Sequence, residues 1–274
     1  MCGALVAGDR CSNATSISVS SGTVDVSFDT RTAAHDLSAP CALGGARDVF
    51  FTFTLTNREI VYADTFASTW NTALFFASSC TAPLTATPGP GQRPGEVYCN
   101  DDASTIGCAS GNAQSQIAAV LAPGTYFIVV TGATVADSGT GTLRFMHVPI
   151  GNGTVAYVPP GSSRQSGSFS GSGTVTPSCN SVASGAENGY WWRTCRESVT
   201  GTFSASTCGA SAVRTVLLAS DAGGTPDVCR TQTCGEQASI SVPTRAGGGI
   251  HTVVVDTIGT TPAGSTYVLS VSRP

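Results

Sequence analysis

Apolar positions come in short bursts along this chain. Val24, Val26 and Phe28 alternate with Asp25 and Ser27, and Phe51, Phe53 and Leu55 alternate with Thr52 and Thr54. A period of two is the mark of a strand with one face on a core. Residues 127–130 and 253–255 are instead unbroken apolar runs, which predict central strands covered on both faces. Gly, Pro, Ser and Asn fence the bursts, and helical periodicity is hard to find. The pattern predicts an all-β sandwich. An α-bundle with 32 glycines would lose about 1 kcal/mol at each interior one.

The chain repeats itself. Ala63-Asp64-Thr65-Phe66 is followed by Asn71-Thr72-Ala73-Leu74-Phe75-Phe76-Ala77-Ser78, and Ala205-Ser206-Thr207-Cys208 by Arg214-Thr215-Val216-Leu217-Leu218-Ala219-Ser220. A cysteine pair comes next in each half: Cys99/Cys108, then Cys229/Cys234. Residues 114–117 match 237–240. Gly124-Thr-Tyr-Phe-Ile-Val-Val matches Gly249-Ile-His-Thr-Val-Val-Val. A closing strand follows near 140–148 and 265–272. Upstream, Pro40-Cys41 and Asp48-Val-Phe-Phe match Ser178-Cys179 and Asn188-Gly-Tyr-Trp-Trp. The expectation is two copies of one module, 1–150 and 151–274, joined near Pro149-Ile150-Gly151-Asn152-Gly153.

The ordered set in the first half carries a resemblance. It runs from the Asp48-Val-aromatic strand through "ADTF…NTALFFASSC" and the "CNDD" loop to the "PGTYFIVVTG" strand. It resembles the bacterial pre-peptidase C-terminal type of CUB-like β-sandwich found in secreted proteins. The likeness is clear in the first half and looser in the second. It implies two tandem, disulfide-stapled, jelly-roll-like domains, accessory to an enzyme or part of a surface protein.

Composition narrows the function. Charged residues make up 11% of 274, all 13 basic residues are Arg, and the net charge is −4. That balance argues against nucleic acid and anionic membranes as partners. No apolar run approaches the ~18 residues of a membrane helix. Eleven cysteines without a CxxC motif predict a disulfide framework in an oxidising compartment. The expected location is secreted or at the cell surface, with a leader removed or not included. Cys229 with Cys234, and Cys99 with Cys108, are expected as local bridges, and Cys11 with Cys41 as a staple of the first strand. The pairing of Cys2, Cys80, Cys179, Cys195 and Cys208 is left open, as is a lipid on Cys2.

Two places could bind something. Asn100, Asp101 and Asp102 form an acidic loop to which Asp64 could add an oxygen, a set suited to calcium; the alternative is a solvated Asx turn. The second half has Arg230-Thr231-Gln232 there. Tyr190, Trp191 and Trp192 share a strand, so one Trp is expected inside and the other could stack on a sugar or a protein partner; the alternative is that both faces are covered. Three histidines (His35, His147, His251) and the absence of GxSxG and HExxH motifs give hydrolase chemistry little support. No cofactor is required by any motif. The reading is a non-catalytic structural or adhesive protein, such as a self-associating fibre or surface-layer subunit. The alternatives are a calcium-assisted module for glycan or protein, and an accessory domain pair of a hydrolase.

Overall fold

The computed structural model describes residues 7–19, 22–84, 95–109, 113–170, 173–179, 185–209, 211, 213–221, 228–258, 262 and 264–274. The chain divides into two compact units, one built chiefly from residues up to His147 and the other from Val148 to Pro274. Both are all-β. Among the described residues the only helices are the short 3-10 turns Cys11–Asn13 and Ala103–Ile106, and none is long and apolar enough to cross a membrane.

The first unit holds β1 (Thr15–Ser16), β2 (Thr23–Asp29), β3 (Asp48–Leu55), β4 (Glu59–Asp64), β5 (Thr72–Ser79), β6 (Ala82–Pro83), β7 (Cys99–Asn100), β8 (Gln116–Leu121), β9 (Gly124–Gly132) and β10 (Thr140–Pro149). One sheet has the order β1-β3-β9-β5-β6, with β7 also on β5; the other runs β2-β10-β4-β8. The second unit holds β11 (Val155–Tyr157), β12 (Gly161–Ser168), β13 (Asn188–Thr194), β14 (Gly201–Ser206), β15 (Thr215–Ser220), β16 (Val228–Thr231), β17 (Ser239–Thr244), β18 (Gly249–Thr257) and β19 (Thr266–Arg273). Its sheets are β11-β13-β18-β15-β16 and β12-β19-β14-β17. The two orders match, with β16 in the place of β7 and no counterpart to β6.

Apolar alternation builds each core. Phe51, Phe53, Leu74, Phe76, Ile128 and Val130 meet Val61, Ile117, Leu143 and Phe145 in the first unit. Tyr190, Trp192, Leu217, Val253 and Val255 meet Phe203, Ile240, Leu269 and Val271 in the second. The unbroken apolar runs lie on the central strands β9 and β18, whose outer faces are covered too. Phe50, Phe75 and Val129 pack beneath Leu37, Ala39 and Ala42, and Leu218 and Val254 beneath Val175.

The covering segment is pinned alike in both units. At one end a bridge ties it to the sheet: Cys41–Cys99 in the first unit, Cys179–Cys229 in the second. At the other end a buried carboxylate receives two consecutive backbone amides. Asp48 Oδ2 accepts from Asp36 N at 3.1 Å and Leu37 N at 3.0 Å. Glu187 accepts from Thr174 N at 2.7 Å and Val175 N at 2.9 Å. Register makes these two acids equivalent: Val49 lies opposite Val130 and Asn188 opposite Val255. The aromatic strands therefore match one residue away from the expected alignment, with Asp48 beside Glu187 rather than Asn188.

The expected bridges Cys99–Cys108, Cys229–Cys234 and Cys11–Cys41 are corrected. The pairs are Cys11–Cys80, Cys41–Cys99, Cys179–Cys229 and Cys208–Cys234, and Cys108 and Cys195 are also oxidised. Cys99 and Cys229 sit on extended strands opposite Phe75 and Leu218. A strand rises about 3.3 Å per residue, whereas a bridge needs its Cα atoms within about 7 Å. Neighbours in sequence are thus carried away while residues on the facing segment come into reach. Cys2 lies outside the described residues.

Candidate functional site

A hydroxyl-lined face stands out in the second unit. Across β12, β19, β14 and β17, register puts Ser162, Ser272, Ser204 and Ser241 in one row. The next row is Arg164, Ser270, Ser206 and Ser239. Strands lie about 4.8 Å apart, so each row spans about 14 Å. Apolar residues alternate with these serines and face the core: Phe203, Ala205, Ile240, Leu269 and Val271. The serines therefore point out. All of them but Ser241 line, with Arg164, a shallow open groove of about 510 Å³.

Its chemistry is neutral and hydrogen-bonding. Ser162 Oγ donates to Ser272 Oγ at 3.2 Å, and Ser206 Oγ accepts from Cys208 N at 3.2 Å. The hydroxyls of Ser204, Ser239, Ser241 and Ser270 have no partner among the described residues. Arg164 is the one charge in the two rows, and it is exposed. Each hydroxyl can donate one hydrogen bond and accept two.

The same positions in the first unit are closed. A knot of hydrogen bonds fixes the comparison. Thr65 Oγ1 bonds Thr72 Oγ1 at 2.5 Å, and Ser115 N donates to both. Thr207 Oγ1 bonds Thr215 Oγ1 at 2.6 Å, and Ala238 N donates to both. Asp64 thus stands where Ser206 stands, and Gln116 where Ser239 stands. Arg144, between core residues Leu143 and Phe145, takes the place of Ser270. Asp64 Oδ2 accepts from Arg144 Nε at 2.8 Å and from Tyr62 Oη at 2.7 Å, while Gln116 Nε2 donates to Tyr62 Oη at 2.9 Å. Burial pushes the Asp64 carboxyl up against the pull of Arg144. Beside it, Val97 pairs with Ala118 along the edge of β8, each amide donating to the other's carbonyl. One repeat fills with long polar side chains the face that the other leaves open.

The acidic loop is not assembled as one ligand set. Asp64 is spent on Tyr62, Arg144 and the Phe66 amide. Asn100 Oδ1 accepts from Gln116 N at 3.0 Å, and its Nδ2 donates to the Asp102 carbonyl at 3.0 Å. Among the described residues, Asp64, Asp101 and Asp102 do not bring all three carboxylates together within 4.8 Å. Burial, then Asp102 and Asp137, push the Asp101 carboxyl up.

The aromatic strand follows the second of its two readings, with both faces covered. Tyr190, Trp191 and Trp192 are all buried. Trp192 lies in the core, stacked on Phe203 at 4.3 Å and on His251 at 5.2 Å. Trp191 faces the other way but packs edge-on to Tyr157 at 5.2 Å. Neither offers a ring to a ligand. The cavity beside Trp192 and His251 is about 20 Å³, roughly one water. Burial pushes His251 down to about 4.

The serine face is not among the sites the sequence singles out, because serine is also a common turn and loop residue. A signal was present: serine alternates with apolar residues in Phe203-Ser204-Ala205-Ser206, in Ser239-Ile240-Ser241-Val242 and in Leu269-Ser270-Val271-Ser272.

No family model matches the chain, and no curated protein matches it. The likeness to pre-peptidase C-terminal modules therefore remains a resemblance. Among solved structures, the chain is similar to PliG of Aeromonas hydrophila, a periplasmic inhibitor of g-type lysozyme. Identity is 15% over 49% of this chain and 96% of that one, with a TM-score of 0.27. It is also similar to the CUB1-EGF-CUB2 region of human MASP-1/3, at 7% identity over 92% and 100% of the two chains, TM-score 0.24. Tandem CBM51 modules of a Streptococcus pneumoniae glycoside hydrolase match at 8% identity over 95% of each chain, TM-score 0.23.

Proposed function

We propose that this chain is an extracellular, non-catalytic adhesion module whose second unit presents the serine face to a polyhydroxylated ligand, the glycan of a cell surface or matrix. The observation that carries this reading is the pair of in-register rows, seven serines and one arginine, on an open sheet. Sugar hydroxyls and serine hydroxyls each donate and accept, so an extended chain can exchange water for matched partners along both rows. The two rows carry no aromatic ring, so binding rests on hydrogen bonds and on Arg164, which favours glycans with carboxylate or sulfate groups. The oxidised cysteines fit an oxidising, extracellular setting.

A panel of neutral and acidic polysaccharides in affinity electrophoresis tests this. Retardation by at least one polysaccharide is expected. The Ser204→Ala, Ser270→Ala double variant should reduce it about tenfold, as two hydrogen bonds of about 0.7 kcal/mol each imply. Arg164→Ala should weaken acidic glycans more than neutral ones. Its melting temperature should not move, because the side chain is exposed. Absence of retardation across the panel, or retardation untouched by all three substitutions, overturns the reading.

A further inference from the structure

We propose that β12 is a docking edge for a second copy of this chain, which pairs with it antiparallel about a two-fold axis centred on Gln165. A sheet edge invites strand addition unless something blocks it. Among the described residues, each of the other edges is acidic, interrupted, bridged or short. β2 carries Asp25 and Asp29. β17 contains Pro243, which has no amide hydrogen. β8 is bridged to Val97, and Val120 N donates to Glu96 Oε1 at 3.2 Å. β1, β6, β11 and β16 are at most four residues long. β12 has eight residues, Gly-Ser-Ser-Arg-Gln-Ser-Gly-Ser, without acid, proline or large apolar side chain. Its mapped ladder runs to β19 alone. Beyond that, Asn188 Nδ2 caps the carbonyl of Ser168 at its end.

The strand suits itself as a partner. With Gln165 opposite Gln165, Ser163 faces Gly167, Ser162 faces Ser168, and Arg164 faces Ser166. The one charge of the strand then meets a hydroxyl, not its own copy. Residues directly opposite in an antiparallel pair share a face, so the serine rows of the two copies meet side by side. A two-fold contact closes on itself. The product is therefore a dimer with one continuous eight-stranded sheet, and a filament would need a second, different contact. The proposal does not rest on glycan binding, since it uses the edge and not the face.

Charge reversal across the axis tests it by sedimentation velocity on the full chain with Cys2→Ser, which removes the eleventh cysteine. A monomer–dimer equilibrium is expected. Ser166→Arg places two arginine pairs face to face and should weaken the dimer about 3- to 10-fold. Ser166→Glu faces Arg164 twice and should strengthen it by a similar factor. Arg164→Glu combined with Ser166→Arg should restore dimerisation relative to Ser166→Arg alone. All these side chains are exposed, so folding should be unaffected, which circular dichroism checks. A chain that stays monomeric at every concentration, or a dimer indifferent to both Ser166 substitutions, overturns the proposal.

Discussion

Single residues decide where this fold is held and where it is vulnerable. Thr215 Oγ1 bonds Thr207 Oγ1 and accepts the Ala238 amide, all buried. Thr215→Val keeps the shape and deletes the hydroxyl. It should cost about 1–3 kcal/mol, because a buried group loses its partner; chemical denaturation measures it, and a loss below about 0.5 kcal/mol would mean that water replaces the bond. Buried acids set the pH response. Burial pushes Asp48 up to about 6, and burial together with Glu187 pushes Asp256 up to about 7, both from an ordinary 3.8. The folded state holds these protons more tightly, so their contribution is full below about pH 4 and is lost as pH rises through 6 to 7. His251 works the other way: its contribution is full above 6.5 and is lost as pH falls through about 4. Asp256→Asn isolates one part. The variant should gain melting temperature over the parent at pH 8 and little at pH 4. Parallel profiles would show that Asp256 does not titrate in this range.

At the scale of elements, the repeat was legible in sequence because the matching residues are those that hold backbone. Ala63–Phe66 and Ala205–Cys208 (residues 63–66 and 205–208) carry the Thr65 and Thr207 of the two knots, and residues 114–117 and 237–240 carry the amides bonded to them. Central strands were legible from unbroken apolar runs. The aromatic strand slipped by one because large rings draw the eye, whereas the anchor is an acid, Asp in one copy and Glu in the other. Bridges were illegible because pairing follows the facing segment and not the spacing along the chain. The serine face was illegible as a site because serine is also what loops are made of; only the cross-strand register separates a row from a scatter. Its closed counterpart in the first unit explains the divergence. Tyr62, Asp64, Gln116 and Arg144 bond one another there, so those groups are engaged within the protein. The serines at the matching places are shorter and form no such network, and most of their hydroxyls stay available.

For the whole molecule, oxidation state governs survival. Of eleven cysteines, ten are disulfide-bonded. Unfolded without reductant, the chain should therefore expose at most one titratable thiol, and ten more after reduction. Each unit contains two of the mapped bridges within itself, with separations of 69 and 58 residues in the first and 50 and 26 in the second. Chain entropy assigns about 3.5 kcal/mol to the shortest loop and about 4.4 to the longest, and typical measured values are about 2–4. Two bridges per unit thus supply roughly 4–8 kcal/mol, against a whole stability of about 5–15 for a domain of this size. With only 11% charged residues, surface ion pairs have little to add, and each is worth about 0–1 kcal/mol at best. Reduction should therefore lower the melting temperature by tens of degrees or abolish the folded state at 37 °C. Calorimetry with and without a strong phosphine reductant, with thiols counted in parallel, checks this. Ten newly exposed thiols with an unchanged melt would mean that the sandwiches stand on their apolar cores alone, and the case for an oxidising compartment would then lose its physical necessity.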